Sequence, residues 1–95
     1  MQSRIESTPA FTIGFGANAW QHVFGFVRVL KVVQNENGMV TVIVLRNPED
    51  YENYTIEFTC LGDGFNFDME EKGEYLGTFV DEGGYDIHLF VKVNK

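Results

Sequence analysis

Residues 21–46 read QHVFGFVRVLKVVQNENGMVTVIVLR, two runs rich in β-branched side chains with Asn37-Gly38 between them. An Asn-Gly pair takes the positive backbone angles that a tight hairpin turn demands, and valine and isoleucine lose less side-chain freedom on a pleated strand than in a helix. This stretch therefore commits the middle of the chain to an antiparallel hairpin. Elsewhere no window of eleven or more residues carries a convincing 3.6-residue apolar period, and strand signals recur about every ten residues between turn sequences. The expectation is an all-β, mostly antiparallel single domain over residues 1–95, a small β-sandwich or β-barrel of about seven short strands, with residues 1–9 as a flexible lead-in.

The strands expected are 11–15, 21–34, 39–46, 54–60, 65–70, 75–80 and 85–93. Those at 21–34 and 39–46 are apolar on both parities, which points to central strands covered on both faces. Tyr54, Ile56, Phe58 and Cys60 alternate with Thr55, Glu57 and Thr59, the pattern of a half-buried strand. The same alternation in FNFDME makes 65–70 the returning arm of a hairpin turned by LGDG. That register sets Phe58 against Phe67 inside and Glu57 against Asp68 outside, a like-charge pair that folding alone does not favour. Across DEGG, the last hairpin would oppose Val80 to Tyr85, Phe79 to Asp86 and Tyr75 to Phe90. Tyr75, Phe79 and Phe90 then form a second aromatic face, either a further layer of core or a patch for a partner.

Charge is divided along the chain more sharply than the net value of −7 conveys. Residues 1–47 hold Glu6 and Glu36 against Arg4, Arg28, Lys31 and Arg46, whereas residues 48–91 hold twelve acids against Lys72 alone. So acidic a stretch offers no footprint for phosphates, which argues against direct nucleic-acid binding and suits a cationic partner or simple solubility. The apolar run FGFVRVLKVV is interrupted by Arg28 and Lys31, too short for a membrane span. A single cysteine and an opening stretch without an apolar signal core set a cytoplasmic expectation, the host cytoplasm if the source is viral.

Several motifs invite chemistry that their context refuses. GFGANA at 14–19 has the letters of a dinucleotide fingerprint, but the aromatic, β-branched WQHVFGFVRV that follows does not read as the required helix, so a glycine-rich turn is expected. Cys60 shares the parity of Ile56 and Phe58 and reads as a buried, inert thiol. His22 and His88 stand outside any zinc spacing, and His88 is expected on the solvent side beside Asp86. From Asp63, the loop positions where a calcium-binding hand needs acids are Phe65 and Phe67, so that pattern fails, although carboxylates from neighbouring strands leave a different calcium site open. NYT at 53–55 matches a glycosylation sequon by letters only. No cofactor is implied, and no pair of carboxylates is placed at catalytic separation, so an enzyme is not expected.

Two classes of function fit what remains. In one, a non-catalytic protein-binding domain, such as a phage or mobile-element inhibitor, presents an acidic face to a basic protein surface that ordinarily holds nucleic acid. Glu49, Asp50, Glu52, Glu57, Asp63, Asp68, Glu70, Glu71 and Glu74 are its expected contacts, with Tyr51, Phe65 or Tyr75 as anchors. In the other, a structural or assembly module such as a virion subunit binds through apolar faces, a homo-oligomer is allowed, and the acids keep it in solution. A sugar- or calcium-binding β domain is a third alternative.

Overall fold

The computed structural model describes residues 2–94. Seven strands in two antiparallel sheets pack face to face: β1 (Arg4–Ser7), β2 (Asn18–Phe24), β3 (Phe26–Gln34), β4 (Val40–Arg46), β5 (Asn53–Leu61), β6 (Glu74–Val80) and β7 (Asp86–Asn94), with one helical turn, α1 (Met69–Lys72), before β6. Sheet A has the order β1-β4-β3 and sheet B the order β2-β5-β7-β6, so the fold is a sandwich. Val40, Val42 and Val44 of β4 meet Ile56, Phe58 and Cys60 of β5 and Ile87, Leu89 and Val91 of β7 in one buried cluster, to which Phe11 and Ile13 add from the segment before β2. Each such side chain contributes roughly 1.5–3 kcal/mol by leaving water.

The long strand expected over 21–34 is two strands in different sheets. Gly25 breaks it at a φ of 63°. Its N–H donates to the Glu52 carbonyl at 2.9 Å and its own carbonyl accepts from the Asn47 N–H at 2.7 Å, which ties the crossing between sheets to the β4–β5 loop. Nor is β3 a covered central strand. It is an edge of sheet A, and it carries two bulges, between Phe26 and Arg28 and between Val29 and Lys31. Each bulge adds a residue to the outer side, so Phe26, Val29 and Val32 pack against the core. Val27, Arg28, Leu30, Lys31 and Val33 face solvent. A strand apolar on both sides and a strand whose bulges give it a period of three are written with the same letters.

The segment expected as a strand at 11–15 makes only an isolated bridge, Phe11 with Val40, although Phe11 and Ile13 do point inward. Within the stretch expected to lead in flexibly, Arg4–Ser7 pairs with β4. Glu6 lies 2.9 Å from Arg46 and 3.8 Å from Arg4, and so bridges two arginines that oppose one another across the pair.

Residues 65–70 are not a strand. Both sides of β5 are already taken, by β2 and by β7, which leaves no edge for a returning arm. The predicted Glu57–Asp68 opposition does not exist: Glu57 stands between Trp20 on β2 and Lys92 on β7, a favourable row. Asp68 instead caps α1, accepting from the Glu70 N–H at 2.9 Å. Glu70 and Glu71 occupy the first turn, Lys72 the last, and Gly73 ends it at a φ of 84°.

In the final hairpin the register is shifted by one residue. Val80 opposes Asp86 and Phe79 opposes Ile87, until a bulge between Tyr75 and Gly77 restores Tyr75 opposite Phe90. Phe79 therefore belongs to the inner side, packed against the core, and only Tyr75 and Phe90 share the outer face.

Candidate interaction surface

The two sheets differ in what covers their outer faces. Over sheet B, the segment 62–73 folds back across β7. Phe67 lies 4.9 Å from Phe90 and Tyr75 lies 5.5 Å from it, ring centre to ring centre, and Phe90 is left only 5% exposed. A side chain at Gly73 would strike the Val91 carbonyl, so the chain passes flush against β7 there. Phe67 takes the place expected of Phe79 in this aromatic face, which buries Phe90 but leaves Phe67 and Tyr75 about half exposed.

A polar relay fastens the same segment. Asp63 and His88 Nε2 are 2.5 Å apart, His88 Nδ1 and Thr78 Oγ1 are 2.8 Å apart, and Thr78 Oγ1 and the Tyr75 hydroxyl are 2.5 Å apart. One donor order satisfies every contact for a neutral imidazole: Tyr75 donates to Thr78, Thr78 to His88, and His88 to the Asp63 carboxylate. His88 thus reaches Asp63 in the loop and not its neighbour Asp86. The carboxylate, imidazole and hydroxyl match a hydrolase constellation in residue type, but they lie on the sheet surface with the Asp63 side chain 82% exposed. The arrangement latches the loop to β6 and β7.

Over sheet A nothing in the described chain performs this role. Val27, Leu30 and Val33 of β3 and Ile5 of β1 are 49%, 40%, 39% and 67% exposed, and Ile43 and Leu45 of β4 lie half-buried between them. The face is an apolar strip with Arg28 and Lys31 set into it by the two bulges. The strands of sheet A hold four cations, Arg4, Arg28, Lys31 and Arg46, against the single carboxylate Glu6. The strands of sheet B hold Glu57, Glu74 and Asp86 against Lys92. Asp63, Asp68, Glu70, Glu71, Asp81 and Glu82 lie in its connecting segments, Glu49, Asp50 and Glu52 in the loop between the sheets, and Glu36 in the β3–β4 turn.

The nine carboxylates expected to form one contact face do not meet. Glu49, Asp50 and Glu52 sit in the β4–β5 loop at one end of β5, and Asp63 follows its other end. Nine residues of extended strand separate the two by about 27 Å. Glu57 lies on β5 opposite Lys92; Asp68, Glu70 and Glu71 surround α1; and Glu74 opens β6 opposite Val91, on the side of that strand turned toward sheet A. Two smaller groups remain, one in the β4–β5 loop and one of Asp68, Glu70 and Glu71 at α1.

Sequence reasoning missed the sheet A face because two-sided hydrophobicity reads as burial. Arg28 and Lys31, three residues apart within an apolar run, were the signal that one side is wet. For α1 the signal was Asp68-x-x-Glu71 followed by Lys72-Gly73, a helix-cap pattern that the Phe65, Phe67, Met69 alternation obscured.

Cys60 is 2% exposed, and burial pushes its thiol pKa up, against a smaller lowering by the Gly14 backbone. Residues 14–17 form the turn expected of GFGANA, with the Ala17 N–H on the Gly14 carbonyl at 3.1 Å. No group of three or more His, Cys, Asp or Glu among the described residues could hold a metal ion, and no helix among them is long and apolar enough to cross a membrane. Comparison with protein-family models, with curated proteins and with solved structures gave no match to this chain.

Proposed function

We propose that this protein is a non-catalytic protein-binding domain that docks through the outer face of sheet A. The observation that carries this reading is the continuous apolar strip of Val27, Leu30 and Val33 with Ile5, Ile43 and Leu45, which no described segment crosses. On sheet B segment 62–73 covers Phe90, and the exposed Trp20 and Phe24 stand apart on edge strand β2. An exposed apolar patch on a small domain costs solubility, and its usual physical meaning is a contact made with something else. Edge strand β3 is meanwhile guarded against simple strand addition by its two bulges and by Arg28 and Lys31. Docking is thus by side chains on the face, and not by backbone pairing at the edge. Among the classes open from sequence, this is the assembly module; the acids of sheet B supply solubility and charge contrast.

The reading is tested by placing a photo-reactive benzoylphenylalanine at Leu30 or at Tyr51, the latter 84% exposed in the β4–β5 loop at one end of the sandwich. Irradiation in the source cell should give a discrete adduct from position 30 and none from position 51. Adducts confined to position 51 contradict the proposal.

A further inference from the structure

We infer that the occupant of the sheet A face is a second copy of this chain, docked head to tail, with sheet A of one copy against the outer side of sheet B of the next. This rests on the reading of sheet A as the docking face and names its partner. The two layers of one molecule complement each other. Sheet A offers an apolar strip carrying Arg28 and Lys31, and the opposite layer offers exposed Phe67 and Met69 beside Asp68, Glu70 and Glu71. Apolar meets apolar and cation meets carboxylate only when unlike layers face one another. Two A faces brought together set Arg28 and Lys31 against the same cations of the other copy, and two B faces set carboxylates against carboxylates, each an electrostatic cost.

Such a contact is heterologous, so it closes into a ring or propagates as a chain and does not stop at a two-fold dimer. Its size sets its strength. Three strands about 4.8 Å apart and about seven residues long give a strip of roughly 14 by 23 Å, or about 320 Å². A standard interface buries about 800 Å² on each partner. The strip is the core of a small interface, so association of the isolated chain is weak and concentration-dependent.

The test is sedimentation of the purified chain from micromolar to millimolar concentration, alone and in mixtures of two variants. Leu30→Glu places a carboxylate in the sheet A strip and leaves sheet B intact. Glu70→Lys with Glu71→Lys reverses the charge beside α1 and leaves sheet A intact. Wild type should grow in average mass past a dimer, each variant alone should remain monomeric, and their equimolar mixture should associate. A wild-type chain that stays monomeric throughout overturns the inference, as does growth that ends at a dimer, or a mixture no heavier than its parts. Where wild type is monomeric but position 30 still forms an adduct with a different protein, the second copy is excluded and the docking face stands.

Discussion

Alanine at position 25 is expected to lower the unfolding free energy by more than about 2 kcal/mol, read as a lower urea midpoint at unchanged slope. Gly25 combines a φ of 63° with full enclosure: a Cβ there would collide with the Asn47 carbonyl oxygen and lie 2.8 Å from that of Asp50. These are backbone atoms of the loop that the crossing itself holds by two hydrogen bonds, so neither side can yield without losing the other. Gly64 separates the two causes. Its φ is 83°, yet nothing lies within 4 Å of a Cβ, so Gly64→Ala should carry the conformational cost alone, about 1 kcal/mol. Equal costs at the two positions would contradict the tight crossing between sheets.

Phe58→Ala is expected to cost about 3–5 kcal/mol, a large share of the 5–15 kcal/mol that holds a typical domain together. The Phe58 ring is fully buried and stacks on Phe11 at 5.0 Å, where the two sheets meet. No neighbour is positioned to refill the space, because the facing Val42 and Val44 side chains are short and held by a strand whose partners flank it on both sides. Phe15 gives the comparison: its ring is 51% exposed against Phe65 and Tyr85, and truncating it should cost less than half as much. The difference between the two phenylalanines, measured by urea unfolding, tests the assignment of inner and outer positions.

How far the fold was legible depends on which interaction decided each element. The β3–β4 hairpin, the inward set Ile56, Phe58 and Cys60, and the pairing of β6 with β7 follow from local pattern and are present. The hairpin, however, turns on Glu36-Asn37, with the Gly38 N–H donating to the Asn35 carbonyl and only Gly38 at positive φ. Seven strands were expected and seven occur among the described residues, but by compensation: the long strand divides at Gly25, β1 is additional, and the segments at 11–15 and 65–70 are not strands. What local pattern could not supply was partner identity. Nothing in FNFDME reveals that both sides of β5 are occupied, and once they are, the segment can only lie across the outer face and cap itself at Asp68. The candidate site was hidden by the same limit. Carboxylates close in sequence fall at opposite ends of one strand, while Val27, Leu30 and Val33 gather on one face only because two bulges change the period of β3.

In the proposed function, docking belongs to the apolar face of sheet A and not to the carboxylates. The most direct measurement compares proteins of the source cell retained at high salt by immobilised wild type, by Leu30→Glu, and by a chain with Asp68, Glu70, Glu71 and Glu74 neutralised to their amides. Leu30 is 40% exposed, so the glutamate should change stability by no more than about 0.5 kcal/mol, and a thermal melt of each variant confirms that it is folded. The expected result is a partner that survives the salt wash on wild type and on the neutralised chain. A foreign partner is lost on Leu30→Glu, whereas a second copy of this chain still reaches that variant through its intact sheet B and is lost only when Leu30→Glu is combined with the neutralised carboxylates. A partner released by salt, lost on the neutralised chain and retained by Leu30→Glu would contradict it and place the contact on the acidic side of sheet B.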